Sequence, residues 1–567
     1  VKRLQPLPVD GDFFREPDLT VRSAPKPRSG WWDWAEAFGR KCEAQSPENP
    51  DWFLNVVNSK RGVSDKPWHE IPDFDESVGD IKGVWEASRM DWLFPCAQRA
   101  LSADSNVREE GLTRLNKMIK DWSESNPQYT GTNWKCGQEV SIRVMHLAMT
   151  ALLLKQTGTP APALINLIRN HAQRIEPTIM YAIAQNNNHG TSEAAALYIA
   201  GSWLRHQGVP EANRWYRKGK KWLEDRVKHL IVADGTFSQR SVNYHRLMLD
   251  TLSMVELWRR EFGMEPFSEH YQQKCKAATA WLGNFTEGKE GDAPNLGAND
   301  GARLLPLTDT DYRDFRPSVQ LATVLFFDAI AYPTEGSFNE PLEWLGIKVP
   351  DAAVNHKRSK HYSDGGFAVL RNERTTIFIT YPKFRFRASG NDALHVDLWV
   401  DGETVLCDSG SYCYNADDKA IQAYFKSVAA HNTVQFDERE QMVQLSRFLA
   451  GGWPKIKAVQ FNQEKCSFSV SIKDFYGVVH SRVVTLNEKN VVVHDSFKDF
   501  RKKAILRWRL AADKYKNQIH CSAPVRLTEG FRSLYYGKYD KFLVIESEIH
   551  AKNLNSSIYQ VQTKICF

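Results

Sequence analysis

Apolar residues recur at three- and four-residue spacing through most of the first 350 positions, and then the period changes. The segments Val84 to Ala100, Val140 to Leu154, Ala163 to Ile183, Ala194 to Arg205, Ala212 to Ile231, Tyr244 to Phe262 and Tyr271 to Phe285 each carry one apolar stripe and predict helices. Short links such as Gln207-Gly208-Val209-Pro210 predict antiparallel neighbours, hence paired helices in an array or toroid. Residues 331–360 carry Pro333, Pro341 and Pro350 and read as a linker. Beyond it, short β-branched and aromatic runs (Phe367 to Leu370, Thr376 to Ile379, Ile456 to Phe461, Ser467 to Val470, Val491 to Val493) predict strands, with turns at Asp401-Gly402 and Glu529-Gly530. The expected architecture is multidomain α+β: an incomplete α/α toroid followed by an antiparallel β-sandwich. The expected divisions are 1–80, a Pro- and Trp-rich extension packing on the helices, then 81–350 and 351–567. Tryptophan divides the same way, 15 of 18 lying at or before Trp344, so the two parts draw on different core residues.

Composition narrows the classes. A chain of 567 residues exceeds what one core usually supports, so two or three domains are expected. No run of about 18 apolar residues predicts a membrane span. The net charge of +6 helps steer a polyanion, but Lys and Arg are interspersed with acids and no basic tract points to nucleic acid. The nine cysteines form no CxxC pair, which excludes a zinc ribbon or thioredoxin-like motif. Cys407 and Cys413 flank a turn that a disulfide can bridge, while the rest read as buried thiols and lean toward a reducing, cytoplasmic setting.

Polar residues concentrate in a few places. Gln185-Asn186-Asn187-Asn188-His189-Gly190-Thr191-Ser192-Glu193 stands directly before an alanine-rich run. Adjacent asparagines have poor helix propensity and gain nothing from burial without partners. With a helix opening at Thr191 or Ser192, these amides and the imidazole suit an anion flanked by hydroxyls, such as a uronate; the alternative is a capped helix start. A second cluster, Asp234 to Arg246, places Arg240, Tyr244, His245 and Arg246 at a helix entrance, where a Tyr–His pair can supply acid and base. In a third, Trp134 can stack on a sugar while Gln138 and Arg143 bind hydroxyls or carboxylate, or the same residues form a salt-bridged helix start. Asn299-Asp300-Gly301-Ala302-Arg303 either turns a loop or lines the same cleft. In the β region, Asn391 to Trp399 alternates as a strand, and His395, Asp408 and His431 have the chemistry of zinc ligands.

The order NNHGTSE, then DGTFSQRSVNYHR, then VDLWVDGETVLCDSGSYCYN and HNTV resembles the heparinase II/III-like polysaccharide lyases, over roughly residues 80–480. The resemblance implies cleavage of a uronate-containing glycan by β-elimination. It implies Asn188 on the substrate carboxylate, helped by the helix end behind it, with Asn187 and Glu193 among the substrate-binding residues. His189 or Tyr244 would be the base at C5, Tyr244 the acid at O4, and His431 a further catalytic group. The chain departs from the family where a His-x-His pair is usual, since Ala388 and Gly390 stand there. His395 falls on the opposite strand face by parity and is not assumed to replace either histidine. Asp408 and His431 match the family's other metal ligands, an incomplete set for zinc or calcium, so no cofactor is expected.

The leading reading is a polysaccharide lyase acting on an acidic polysaccharide. The alternatives are a uronate C5-epimerase, a non-catalytic glycan-binding or assembly protein, and a toroid glycoside hydrolase. Substrate class argues for a periplasmic or secreted location and the cysteines for a cytoplasmic one; both stay open, as does the oligomeric state.

Overall fold

The computed structural model describes residues 5–18, 25–386, 388, 390–446, 449–551 and 558–567. Backbone contacts divide the chain into two compact units. The first holds the described residues up to Ile231 with Arg246–Thr279 and Gly301–Asn355; the second holds Val232–His245, Ala280–Asp300 and His356–Phe567. A helical region followed by antiparallel sheets is the architecture expected from the change of period.

The helices are α1 Lys82–Ser88, α2 Leu93–Ala100, α3 Ser105–Ser125, α4 Gly137–Leu153, α5 Pro162–Ile175, α6 Ile179–Ala184, α7 Asn188–His206, α8 Ala212–Leu230, α9 Val242–Glu261, α10 Glu269–Phe285, α11 Arg316–Phe327, α12 Glu340–Trp344 and α13 Lys419–Tyr424. Two predicted helices are split. The apolar stripe from Val84 to Ala100 breaks between α1 and α2, where Met90 takes a left-handed φ of 67°. The stripe from Ala163 to Ile183 breaks at Glu176–Thr178, because Pro177 has no backbone N–H to donate to the preceding turn. Helix α3 was not foreseen, since its charged sequence hides a narrow stripe of Leu115, Met118, Ile119 and Trp122. Asp104 caps it by accepting from the backbone of Asn106 and Val107. No helix among the described residues is long and apolar enough to cross a membrane.

A two-stranded hairpin, β1 Glu36–Ala37 with β2 Arg40–Lys41, lies in the first unit. The remaining strands belong to the second: β3 Lys360–Tyr362, β4 Phe367–Arg371, β5 Thr375–Thr380, β6 Val396–Val400, β7 Glu403–Leu406, β8 Val434–Phe436, β9 Val443–Ser446, β10 Leu449–Gly451, β11 Lys455–Asn462, β12 Ser467–Lys473, β13 Val479–Leu486, β14 Asn490–Lys498, β15 Lys503–Arg509, β16 Ile519–Cys521, β17 Arg526–Arg532, β18 Asp540–His550 and β19 Tyr559–Cys566. They build a five-stranded sheet in sequential order β3 to β7, a four-stranded sheet β17-β18-β15-β8 and a six-stranded sheet β11-β12-β13-β14-β19-β16, besides the hairpin β9–β10. Strands β12, β13 and β14 alternate buried with more exposed positions, as a sheet with one covered face requires. Strands β5 and β6 are buried at every position. One apolar core joins the three sheets through residues such as Leu370, Leu398, Val434, Val484, Val493, Trp508 and Ile565.

A polar knot crosses that core. Arg482 on β13 is fully buried and pairs with Asp495 on β14 through Nε at 2.7 Å and Nη2 at 3.0 Å. Its Nη1 donates to the carbonyls of Leu394 and Asn432 at 2.6 and 2.7 Å. Asn432, also fully buried, donates to the carbonyls of Val396 and Cys407 and accepts from the backbone N–H of Arg509. Burial alone would raise the Asp495 pKa, but Arg482 and His480 beside it bring it down to about 2. Cys407 and Cys413 are both buried free thiols, so the bridge allowed by their spacing is not formed.

Asn432→Ala strands two buried carbonyls and one buried N–H. We expect a loss of about 3 kcal/mol or more in unfolding free energy, read as a lower urea midpoint at unchanged m-value.

Candidate active site

In the first unit, the asparagine run is the start of α7, three residues earlier than the sequence suggests. Asn187 is the N-cap, its side-chain oxygen accepting from the backbone of His189 at 3.1 Å, so Asn188 and His189 lie inside the first turn. An asparagine at the cap satisfies one of the free N–H groups, which moves the helix start upstream from Thr191. Asn186 holds a left-handed φ of 51° and accepts from Arg226, giving it a turn-forming role. Asn188 is buried, and His189 is the more accessible, with its side chain 27% exposed.

One turn along α7, Glu193 is buried, with its Oε1 3.9 Å from Nδ1 of His189. Burial raises its pKa to about 8, against the opposing pull of Arg174, so near neutral pH the carboxyl is largely protonated. Its Oε2 has no hydrogen-bond partner among the described residues, and neither amide atom of buried Gln138 has one. A side chain at Gly137 would lie 2.6 Å from the Glu193 carboxylate, so the glycine opening α4 admits that close approach.

Other expected binding residues are withdrawn by burial. The Trp134 ring is sealed, donating to the Asn126 carbonyl and packing 4.7 Å from His171. Arg143 is equally enclosed, donating to His171 Nε2 at 3.0 Å and to the Asn133 carbonyl at 2.8 Å. Arg246 bonds the Tyr312 carbonyl and lies over the rings of Tyr312 and Phe315. Each is held by protein groups, which leaves no face for a sugar.

In the second unit, Ser241 opens α9, accepting from the backbone of Tyr244 through its Oγ at 3.1 Å. The Tyr244 hydroxyl meets that of Tyr414 at 2.6 Å. Tyr414 is fixed in turn by its own backbone N–H, which donates to the Tyr536 hydroxyl at 3.0 Å, and by the ring of Tyr536 beside it. The neighbouring loop is tied down by Asn243 to Asp300 and by the Asn299 backbone to Ser411. Tyr414 was not singled out from the sequence: it lies 170 positions from its partner, and the only local signal is the Ser-Tyr-Cys-Tyr run after Gly410. His245 stacks on Trp281 at 4.3 Å, and Arg240 bonds the backbone of Gly365, Gly366 and Tyr381 under the rings of Phe367 and Phe384. Both side chains are engaged with protein groups within this unit.

His395 does not follow strand alternation, contrary to the expectation from parity. Regular strand β6 begins only at Val396, and Leu394 takes a left-handed φ of 63°, which turns His395 out of the alternation. Its Nδ1 lies 3.5 Å from Oδ2 of Asp408, which lies 2.7 Å from Nδ1 of His431. Ligand atoms of these three residues fall within 4.8 Å of one another, and all three are buried. This is a third donor where two were expected, a set that suits a divalent cation with an open coordination position. The same atoms are also engaged with protein, since His395 Nδ1 accepts from the Asn432 backbone. Burial disfavours the charged imidazole of His431, but the Asp408 carboxylate outweighs it and raises the His431 pKa above the ordinary histidine value. Nε2 of His431 has no partner among the described residues, and a side chain at Gly390 would begin 3.6 Å from it. Ala388 lies in an apolar cluster with Met442, Ala450, Phe384 and Trp453.

The family profile "Heparinase II/III N-terminus" matches residues 65–298, and "Heparinase II/III-like, C-terminal" matches residues 355–554. The chain belongs to the heparinase II/III-like family. It is 20% identical over 397 residues to a heparin-sulfate lyase of Bacteroides stercoris, covering 64% of this chain and 55% of that protein. The chain thus spans about half the length of the curated relatives it matches. A crystal structure of heparinase III superposes with a TM-score of 0.64 at 16% identity, covering 88% of this chain and 79% of that one. Heparan sulfate lyase of Pedobacter heparinus gives 0.56 at 19% identity, covering 88% and 78%. At such identities the structural likeness speaks for the fold.

A carboxyl whose pKa is raised on folding contributes stability in full below its unfolded value, near 4.5, and loses it as pH rises through about 8. Glu193→Gln should therefore flatten the decline of Tm between about pH 5 and pH 9. An unchanged slope in thermal melts would mean that Arg174 keeps Glu193 ionised.

Proposed function

We propose that this chain cleaves a uronate-containing polysaccharide by β-elimination, and the Tyr244–Tyr414 hydroxyl pair carries the reading. A base removes the proton from C5, the C4–O4 bond breaks, the electron pair becomes the C4=C5 double bond, and O4 leaves with a proton. Negative charge grows on the substrate carboxylate as C5 is deprotonated, so groups that neutralise it lower the barrier. Asn188 and a protonated Glu193 are the donors assigned to that carboxylate, with Gln138 offering its unpartnered amide to hydroxyls. Tyr244 acts as base at C5 and returns the proton to O4, a syn course; His189 is the other candidate base. Tyr414 donates to the Tyr244 oxygen while it carries charge, and accepts from it once it is reprotonated. A phenol with a fixed donor at 2.6 Å is better suited to both states than one facing water.

His431, held by Asp408, is assigned to substrate through its unpartnered Nε2. His395, Asp408 and His431 are the residues that would hold a zinc ion, which would supply positive charge when bound, whereas two imidazoles do not suit calcium.

The test is a panel of uronate glycans read by absorbance of the unsaturated uronate. Wild type should yield product on at least one member. Tyr244→Phe should lower kcat by about 100-fold or more, the loss of an acid–base group. Tyr414→Phe should lower kcat by roughly 10-fold with KM little changed, the loss of one hydrogen bond to a charged oxygen. No product on any glycan would overturn the reading, and uptake of solvent deuterium into uncleaved polymer would replace it with C5 epimerisation.

A further inference from the structure

Helix α8 carries a feature that the proposed chemistry does not use. Arg214, Arg217, Lys218 and Lys221 recur at i, i+3, i+4 and i+7, which places four cations in one stripe about 10 Å long. The opposite side of the helix is buried through Trp215, Leu223, Val227 and Leu230, and Gly219 lets the α8 backbone come against that of Tyr198 on α7. The stripe therefore faces outward as a consequence of packing. Together with Pro210 and the half-buried Trp222 it lines an open groove of about 520 Å³ whose lining holds no carboxylate. Glu176, nearby, pairs with Arg214 and Lys218. Arg217 and Lys221 have no carboxylate partner among the described residues, and the Lys221 ammonium lies 5.0 Å from the Trp222 ring centre.

We propose that this groove is a second binding strip for an acidic polysaccharide chain, apart from the residues assigned to the chemistry. Cations at helical spacing along a shallow groove, two of them without a carboxylate partner among the described residues, match a polymer whose charge repeats along its length, and an indole beside them offers a flat apolar face to a sugar ring. An anionic membrane fits less well: an interfacial helix must offer its apolar face to lipid, and that of α8 is already buried in the protein. The identity of the ligand rests on the polysaccharide reading above, while binding is measured without any turnover.

The experiment compares the full chain with the double variant Arg217→Glu/Lys221→Glu and with Trp222→Ala, using polygalacturonate, heparin and phosphatidylserine vesicles as probes over a range of salt. Wild type should bind at least one of the two glycans, more weakly as salt rises. The double variant should bind about tenfold more weakly at low salt and with a shallower salt dependence, as counter-ion release requires. Trp222→Ala should weaken glycan binding with the salt slope retained. Thermal melts of both variants should match wild type, since the side chains lie outside the core. Equal glycan affinity in the double variant, no glycan binding by wild type, or binding to vesicles alone would each overturn the proposal. If wild type binds glycan through the stripe yet never forms an unsaturated product, the strip stands and the lyase reading fails.

Discussion

A buried cation must find all its hydrogen-bond partners inside the protein, and Arg482 imposes that requirement on the second unit. Its guanidinium reaches Asp495 in one sheet and the carbonyls of Leu394 and Asn432, segments that lead into the other two. Removing one partner would leave charge in a low-dielectric interior, a far larger penalty than the pair contributes when complete. Leu394 takes a left-handed turn, His395 swings out of strand alternation, and the Asn432 backbone N–H donates to His395 Nδ1. The Asp408–His431 pair and His395 lie beside the segments that this one arginine ties together.

The helical unit solves a different problem with the same economy of partners. Asn187 caps α7, Gly137 clears space, and Glu193 is enclosed so fully that its carboxyl prefers to be neutral. A neutral buried carboxyl and an unpartnered amide at Gln138 are costly in a core that is otherwise closed by Trp134, His171 and Arg143. Under the proposed function, a substrate carboxylate and its neighbouring hydroxyls would complete these atoms.

Much of the fold was legible along the chain. The change from a 3.6-residue to a two-residue period near residue 350 separates helices from strands, and it survives because burial of one face sets both periods. Where that reading failed, the cause was local. Pro177 and Met90 interrupt stripes whose apolar spacing continues through the break, and α3 hides five buried residues under charge. Of the site, the turn at Asn188 and His189 and the helix entrance at Tyr244 stand out by composition, since asparagines and a tyrosine at a helix start have little packing reason to be there. Trp134, Arg143, Arg240, His245 and Arg246 looked equally suitable, because sequence cannot distinguish an arginine that binds ligand from one that binds carbonyls.

Local chemistry in the chain determined which segments become helix or strand, where helices are capped, and which family the order of motifs belongs to. Those properties depend on neighbours a few residues away, so a linear reading reaches them. The partnership of Tyr244 with Tyr414, the convergence of His395 with Asp408 and His431, and the neutrality of Glu193 depend on contacts between distant segments and on exclusion of water. Only the tertiary structure decides these, because a side chain's protonation and partners follow from what surrounds it in space and not from what precedes it in the chain.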